Sequence, residues 1–286
     1  MTSESVHYRF EQVAEGAWAA VAIDSGAGVG NMGIADLGGR ALVVDCGFTP
    51  AAARDVRAAA ETLVGPVERV VITHGDFDHY GGARAFADVP ILASERTCAV
   101  IAENRPGRVS GLQAEFETYM AELEERGAPD WELEQGRRIA AEIPGLQLSI
   151  PTETFTDERD LGPVQVIDCG KAHSASDAVV WFSEAGVLFA ADLVPVESHL
   201  NLTRGDPENW LRALDRFEAL GPRQIVPGHG SPAGAEAIGA ARAYIERLLA
   251  LAVEPGDHEL PPEWAGWSFA EGFQQNIDAL RQMVDR

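Results

Sequence analysis

The sequence predicts an α/β protein in which two sheets pack face to face with helices outside. Three observations carry that expectation. Short apolar runs bounded by turn residues recur in both halves of the chain, at 41–45, 67–73, 164–168, 178–182, 187–191 and 224–226. Stretches of helical period lie between them. Neither a fixed-period repeat nor a low-complexity linker divides the 286 residues, so one domain over 1–286 is the simplest arrangement.

Taken in order, residues 8–24 alternate loosely about Gly16 and predict two strands. The stretch Gly26-Ala27-Gly28-Val29-Gly30-Asn31-Met32-Gly33 contains a formal G-x-G-x-x-G. A dinucleotide fingerprint has to open a helix, because the pyrophosphate sits on the helix N-terminus. Here Ile34–Asp45 reads as two strands about a Gly38-Gly39 turn instead, so the nucleotide reading is rejected. A flexible β-hairpin that covers a site is expected in its place. Asp45-Cys46-Gly47 closes a buried strand, and Thr49 with Pro50 starts a helix carrying Val56, Ala59, Ala60 and Leu63 on one face.

Strand 67–73 runs into His74-Gly75-Asp76-Phe77-Asp78-His79, followed by Gly81-Gly82, a helix from about Ala83 and a short strand at 89–92. Residues 95–143 are Glu-rich, with Leu112, Phe116, Tyr119 and Leu123 at helical spacing and a break at Gly127-Ala128-Pro129. They predict an inserted helical pair, either a substrate cover or a solvated decoration. The β pattern then resumes through strand 164–168, a loop at 170–177, and a hairpin over 178–191 that ends at Asp192. Asp206 and Pro207 start a helix with Trp210, Leu211, Leu214 and Phe217 inward, and strand 224–226 leads into Pro227-Gly228-His229-Gly230. A long helix carries Ile238, Ala241, Ile245, Leu248 and Ala252, and the tail with Trp264, Trp267, Phe269 and Phe273 is aromatic enough to pack on the domain.

Lys plus Arg (22) against Asp plus Glu (45) leaves a net charge of −23, a field that repels phosphate backbones and anionic lipid. Nucleic-acid and membrane partners are therefore not expected; a small-molecule substrate is. The polar start Met1-Thr2-Ser3-Glu4-Ser5 has no signal-peptide character. Cys46, Cys98 and Cys169 are too few and too far apart for a disulfide framework, which suits a reducing cytoplasm.

The chemistry concentrates at strand ends. Two imidazoles and two carboxylates crowd the loop after strand 67–73, and such groups crowd cheaply only where a cation offsets them. Mixed imidazole and carboxylate donors suit Zn, Fe or Mn. His173, Asp192 and His229 occupy matching strand-end positions, so four of the seven histidines fall in such contexts. Neither a G-x-S-x-G nor a P-loop is found.

These motifs resemble those of the metallo-β-lactamase fold superfamily, whose pattern is H-x-H-x-D-H, a later G-H loop, a G-D strand end and a final G-H loop. The likeness runs over about residues 10–235 and includes Val43-Val44-Asp45-Cys46-Gly47, similar to an early V-D-x-G strand. It implies a four-layer αββα sandwich of two mixed sheets, and a hydrolase with two divalent metal ions, zinc first. By position, one ion would take His74, Asp76 and His173, the other Asp78, His79 and His229, with Asp192 bridging. A metal-activated water would attack a small ester, thioester, lactone or amide-like bond, and Asp78 would orient that water or take its proton.

Asp76 departs from the pattern, which has histidine there. With two divalent ions, three carboxylates and a hydroxide the formal charge falls to zero, where a histidine would leave +1. Such a site is less electrophilic and shifts toward harder ions, so iron or manganese becomes credible. Flavodiiron proteins of the superfamily carry an acidic residue at this position. An iron-dependent oxidoreductase is therefore one alternative, and a non-catalytic metal-binding protein another. Asp177 is expected either to hold a ligand histidine or to cap its loop. His199 and Lys171 are weak substrate-facing candidates, with an exposed loop position the alternative for His199; His7 and His258 are expected at the surface.

Overall fold

The computed structural model describes residues 5–104, 107–199 and 201–284. The N-terminal Met1–Glu4, and 105–106 within the insertion, lie outside the described residues. Two mixed sheets form. The first has seven strands in the order β1 (Tyr8–Ala14), β2 (Ala17–Ala22), β3 (Met32–Asp36), β4 (Ala41–Val44), β5 (Val67–Val71), β6 (Ile91–Ser94) and β7 (Glu153–Phe155). Strands β1 to β4 pair antiparallel, and β4 to β7 pair parallel. The second sheet has β8 (Glu158–Asp160), β9 (Val164–Gly170), β10 (Asp177–Phe182), β11 (Val187–Ala191), β12 (Gln224–Pro227) and β13 (Ala233–Gly234) in spatial sequence. Within it β11 and β12 run parallel and the other pairs antiparallel.

The side-chain period of a strand explains the layering. In β4, Leu42 and Val44 point to the other sheet, where they meet Val180, Val187 and Phe189. Ala41 and Val43 point outward to α1 (Pro50–Leu63), against Ala52, Val56 and Ala60. Both faces are covered, which is why these strands read as continuous apolar runs rather than alternating ones. The second sheet's outer face carries α6 (Pro207–Leu220), α7 (Glu236–Ala252) and α8 (Gly272–Val284). Helix α1 starts at Thr49, whose hydroxyl accepts from the Ala52 N–H at 3.3 Å, with Pro50 in the first turn. Asp206 accepts from the Asn209 N–H at 3.0 Å to start α6.

Several local expectations change. The His/Asp motif is not all loop: α2 is a single turn over Phe77–Tyr80, followed by a 3₁₀ turn over Gly81–Phe86 in place of a helix from Ala83. The strand expected at 89–92 sits two residues later, as β6. The insertion holds three helices rather than two, α3 (Glu95–Asn104), α4 (Arg108–Glu125) and α5 (Asp130–Glu142). A second breaker, Gly107 at φ 73°, divides the run that Gly127 also ends. The glycine stretch 26–33 is no flexible flap. It is mostly buried, and Asn31 ties it to the other sheet through N–H to Gly228 O (2.7 Å) and Nδ2 to Pro227 O (3.0 Å) and Gly230 O (2.7 Å).

Gly33 shows why one of these glycines is needed. A Cβ there would fall 2.4 Å from Cδ1 of Phe189, which projects across the inter-sheet core. Gly33→Ala is expected to lower stability by about 1–3 kcal/mol, the usual cost of overpacking a core. The check is a urea unfolding curve, and an unchanged midpoint would contradict the close approach.

Candidate metal centre

The parallel pairs β4/β5 and β11/β12 set the centre's position, because parallel strands deliver their C-terminal ends to one edge. Thr73 and His74 follow β5, Asp45 follows β4, Asp192 follows β11 and His229 follows β12. His173 lies in the β9–β10 loop. That edge is stitched across the sandwich by Ala178 N–H to Thr73 O (2.9 Å), and within the second sheet Gly228 N–H to Ala191 O (2.7 Å) holds the ends of β11 and β12 together.

All seven predicted residues come together. His74, Asp76, His173 and Asp192 form one group and Asp78, His79 and His229 another, with the ligand-type atoms of each group within 4.8 Å of one another. Asp192 serves both sides. Its Oδ2 lies 3.5 Å from His74 Nε2 and 3.3 Å from His173 Nε2, and its Oδ1 lies 3.4 Å from His79 Nε2 and 3.7 Å from His229 Nε2. Asp76 Oδ2 stands 3.4 Å from His173 Nε2, and Asp78 Oδ2 stands 3.1 Å from His229 Nε2.

Bare glycines permit this crowding. A Cβ on Gly228 would lie 1.9 Å from Asp192 Oδ1, and one on Gly30 would lie 3.1 Å from His79 Nε2. Ala191 sits at φ 45° in the left-handed region, at the position of the glycine in the G-D pattern.

Burial opposes charge on His74, His79, His229, Asp76, Asp78 and Asp192, yet their neighbours overrule it. His79 is held well above the ordinary imidazole range by Asp192, Asp78 and Asp45. His74, beside Asp192 and Asp76, and His229, beside Asp192 and Asp78, are raised in the same sense. Asp192 is held well below the carboxylate range by His79, His229 and His74. Asp78 is lowered by His79 and His229, and Asp76 by His173, His74 and Arg204. The cluster thus demands positive charge, from protons or from a metal competing with them.

The residues fit a metal. His74 Nε2, His79 Nε2 and Asp192 Oδ1 are buried without a hydrogen-bond partner. Orphaned buried donors and acceptors are costly unless something satisfies them.

Asp45, which the sequence marks only as a strand end within a V-D-x-G stretch, acts behind the ligand-type histidines. Its Oδ2 takes His79 Nδ1 at 2.8 Å, and both its oxygens lie within 3.0 Å of Thr73 Oγ1. The Thr73 hydroxyl must donate to that carboxylate, so it accepts from His74 Nδ1 at 2.9 Å. One carboxylate therefore sets the tautomer of two histidines and turns both Nε2 lone pairs inward. Asp45 adopts φ 65°, a conformation that Asp and Asn tolerate better than most residues.

Other expectations resolve one by one. Asp177 caps its loop: Oδ2 accepts from the Ala172 and Ser174 N–H groups at 3.0 and 2.9 Å, on either side of His173, and does not touch its ring. His199 is not exposed. It is buried among Tyr244, Trp264, Trp267 and Phe273, with Nδ1 3.0 Å from the Tyr244 hydroxyl, because the aromatic tail folds over it. Lys171 is exposed, its backbone carbonyl taking Asn209 Nδ2 at 2.8 Å. His7 is buried and accepts from the Ala27 N–H at 3.0 Å, and His258 is half-buried against Leu251 O and Arg281. The three cysteines are free.

Fold and centre together define an αββα sandwich with a metal-ligand-type polar cluster at one strand-end edge. The profile of the metallo-beta-lactamase superfamily matches residues 25–229. The linear primary-alkylsulfatase of Pseudomonas sp. (strain ATCC 19151) is 25% identical over 212 residues, 67% of this chain. The match spans 39% of that relative's length. Among solved structures, a metallo-beta-lactamase from Erythrobacter litoralis superposes with a TM-score of 0.63 at 20% identity, covering 86% of this chain and 99% of its own. The metallo-beta-lactamase FIM-1 from Pseudomonas aeruginosa, in its mono-zinc form, gives 0.63 at 19% identity, over 86% and 98%. These structural likenesses concern the fold. The chain belongs to the metallo-beta-lactamase superfamily.

Asp45→Asn keeps the left-handed backbone and removes the charge that orients His79 and, through Thr73, His74. It is expected to weaken metal binding by about tenfold or more. Titration of zinc against a competing chelator measures this, and unchanged affinity would contradict the orienting role.

Proposed function

We propose that this chain is a metal-dependent hydrolase whose centre takes two divalent ions, zinc first. The observation that carries the reading is the division of Asp192 between two ligand sets, in each of which one inward nitrogen, His74 Nε2 or His79 Nε2, is buried without a hydrogen-bond partner. His74, Asp76 and His173 would hold one ion, and Asp78, His79 and His229 the other, with one oxygen of Asp192 for each. Bound there, the ions would supply Lewis-acid charge that acidifies water and polarises the bond to be cleaved.

The rest falls to side chains. Asp78 keeps a partly accessible carboxylate (20% exposed) beside His229, where it would orient the attacking water or accept its proton. A cleft of about 280 Å³ opens beside the first set, with Gly75, Asp76, Ser174, Ser176 and Arg204 in its walls. Val100 of α3 also lines it, so the helical insertion would shape what enters. That volume suits a small substrate with an ester, thioester, lactone or amide-like bond. Similarity to a linear primary-alkylsulfatase adds alkyl sulfate esters to the candidates. A net charge of −23 disfavours polyanionic substrates. Among the described residues no helix is long and apolar enough to cross a membrane, and three unpaired cysteines suit a cytoplasmic setting.

The extra carboxylate Asp76 keeps iron-dependent oxidation as the competing reading. Anaerobic assays over ester, thioester, lactone, amide and alkyl sulfate panels separate the two. Hydrolysis without oxygen is expected, lost on chelation and restored by zinc or manganese. Oxygen consumption by an iron-loaded protein that hydrolyses nothing would overturn the proposal.

A further inference from the structure

Arg204 is a residue that no motif of the sequence accounts for. Its Nη2 donates to both oxygens of Asp76, at 2.8 and 2.6 Å. The same carboxylate faces His173 and His74, with Oδ2 at 3.4 and 3.9 Å from their Nε2 atoms. Among the described residues, the other ion-pair partners of Asp76, Asp78 and Asp192 are all imidazoles. Arg204 alone brings a permanent charge to the cluster.

Its side chain is 55% exposed, but its position is held. Leu202 is buried, and its N–H donates to Asn276 Oδ1 at 2.8 Å. Gly205 lies so close to the His173 segment that a Cβ would fall 2.1 Å from Ala172 O and 2.8 Å from His173 O. The Asp206 N–H then donates to Ala172 O at 2.7 Å before α6 begins. The loop carrying Arg204 is thus fastened to the strand-end loop that carries His173.

We propose that Arg204 is a positioning residue that makes Asp76 the charge equivalent of a histidine: the carboxylate occupies a ligand position while the guanidinium cancels its charge. The inference rests on the metal-centre reading above. Two divalent ions with Asp76, Asp78 and Asp192 leave one net positive charge. A neutral histidine at position 76 would leave two, and Asp76 paired with Arg204 also leaves two. The electrophilicity that the aspartate would forfeit is returned by a cation beyond the ligand set. Guanidinium and metal share one carboxylate and repel each other, so the arrangement gives up affinity for the ion to keep the centre positive.

That trade fixes a sign. Zinc titration of the metal-free full chain against a competing chelator should show Arg204→Ala binding the ion about tenfold more tightly than wild type, on the scale typical of outer-shell partners, while hydrolysis slows. Arg204→Lys keeps the charge and should bind within about threefold of wild type. Asp76→His with Arg204 retained carries one charge too many and should bind most weakly. Asp76→His combined with Arg204→Ala should return to near wild-type affinity, because the charge removed by one change offsets the charge added by the other. Unchanged or weaker binding by Arg204→Ala, or a double variant whose affinity stays far from wild type, would overturn the proposal while leaving the metal centre in place. A wild-type chain that binds no zinc would overturn both.

Discussion

One carboxylate, Asp192, gives an oxygen to each half of the polar cluster, and the surrounding structure is arranged so that it can. It leaves β11 through Ala191 in a left-handed turn and meets His229 from the parallel neighbour β12. Gly228 carries no side chain because Asp192 Oδ1 occupies that space. Gly30 yields in the same way to His79, and Asn31 next to it holds the β12 end by three hydrogen bonds. The glycine stretch that mimics a nucleotide fingerprint is therefore a clamp between the two sheets at the rim of the centre.

Buried like charges make such a site unfavourable to assemble. Two devices offset that cost before any ion binds. Asp45 and Thr73 form a short chain of hydrogen bonds that aligns His79 and His74, and Arg204 pairs with Asp76. What remains, the inward nitrogens of His74 and His79 and one oxygen of Asp192, is left for a bound cation to satisfy. Binding of that cation would then stabilise the folded chain by mass action.

Most of the architecture was legible from the apolar runs, because strands covered on both faces are apolar at every position. The ligand-type residues were legible for a related reason: charged and imidazole side chains follow directly on buried strands, where chance would seldom put them. The misreadings have physical causes. Phe77–Tyr80 forms one helical turn, too short for a periodic signal. Gly107 splits the insertion as Gly127 does, but a lone glycine is a weaker break signal than Gly127-Ala128-Pro129. Helix α8 has Phe273, Ile277 and Leu280 at helical spacing, yet the aromatic residues ahead of it drew the reading to packing alone. His199 resembled an exposed loop histidine because the residues that bury it, Tyr244 and Trp264, lie 45 and 65 positions away in the sequence. Arg204 offered no local signal, since its partner Asp76 is 128 residues distant.

The central claim is a two-ion centre divided by Asp192. The most direct test is a crystal structure of the zinc-loaded chain with anomalous data at the zinc edge. The account predicts two peaks, one among His74, Asp76 and His173 and one among Asp78, His79 and His229, with Asp192 in contact with both. One peak alone, or a pair from which Asp192 or Asp76 has turned away, would contradict it.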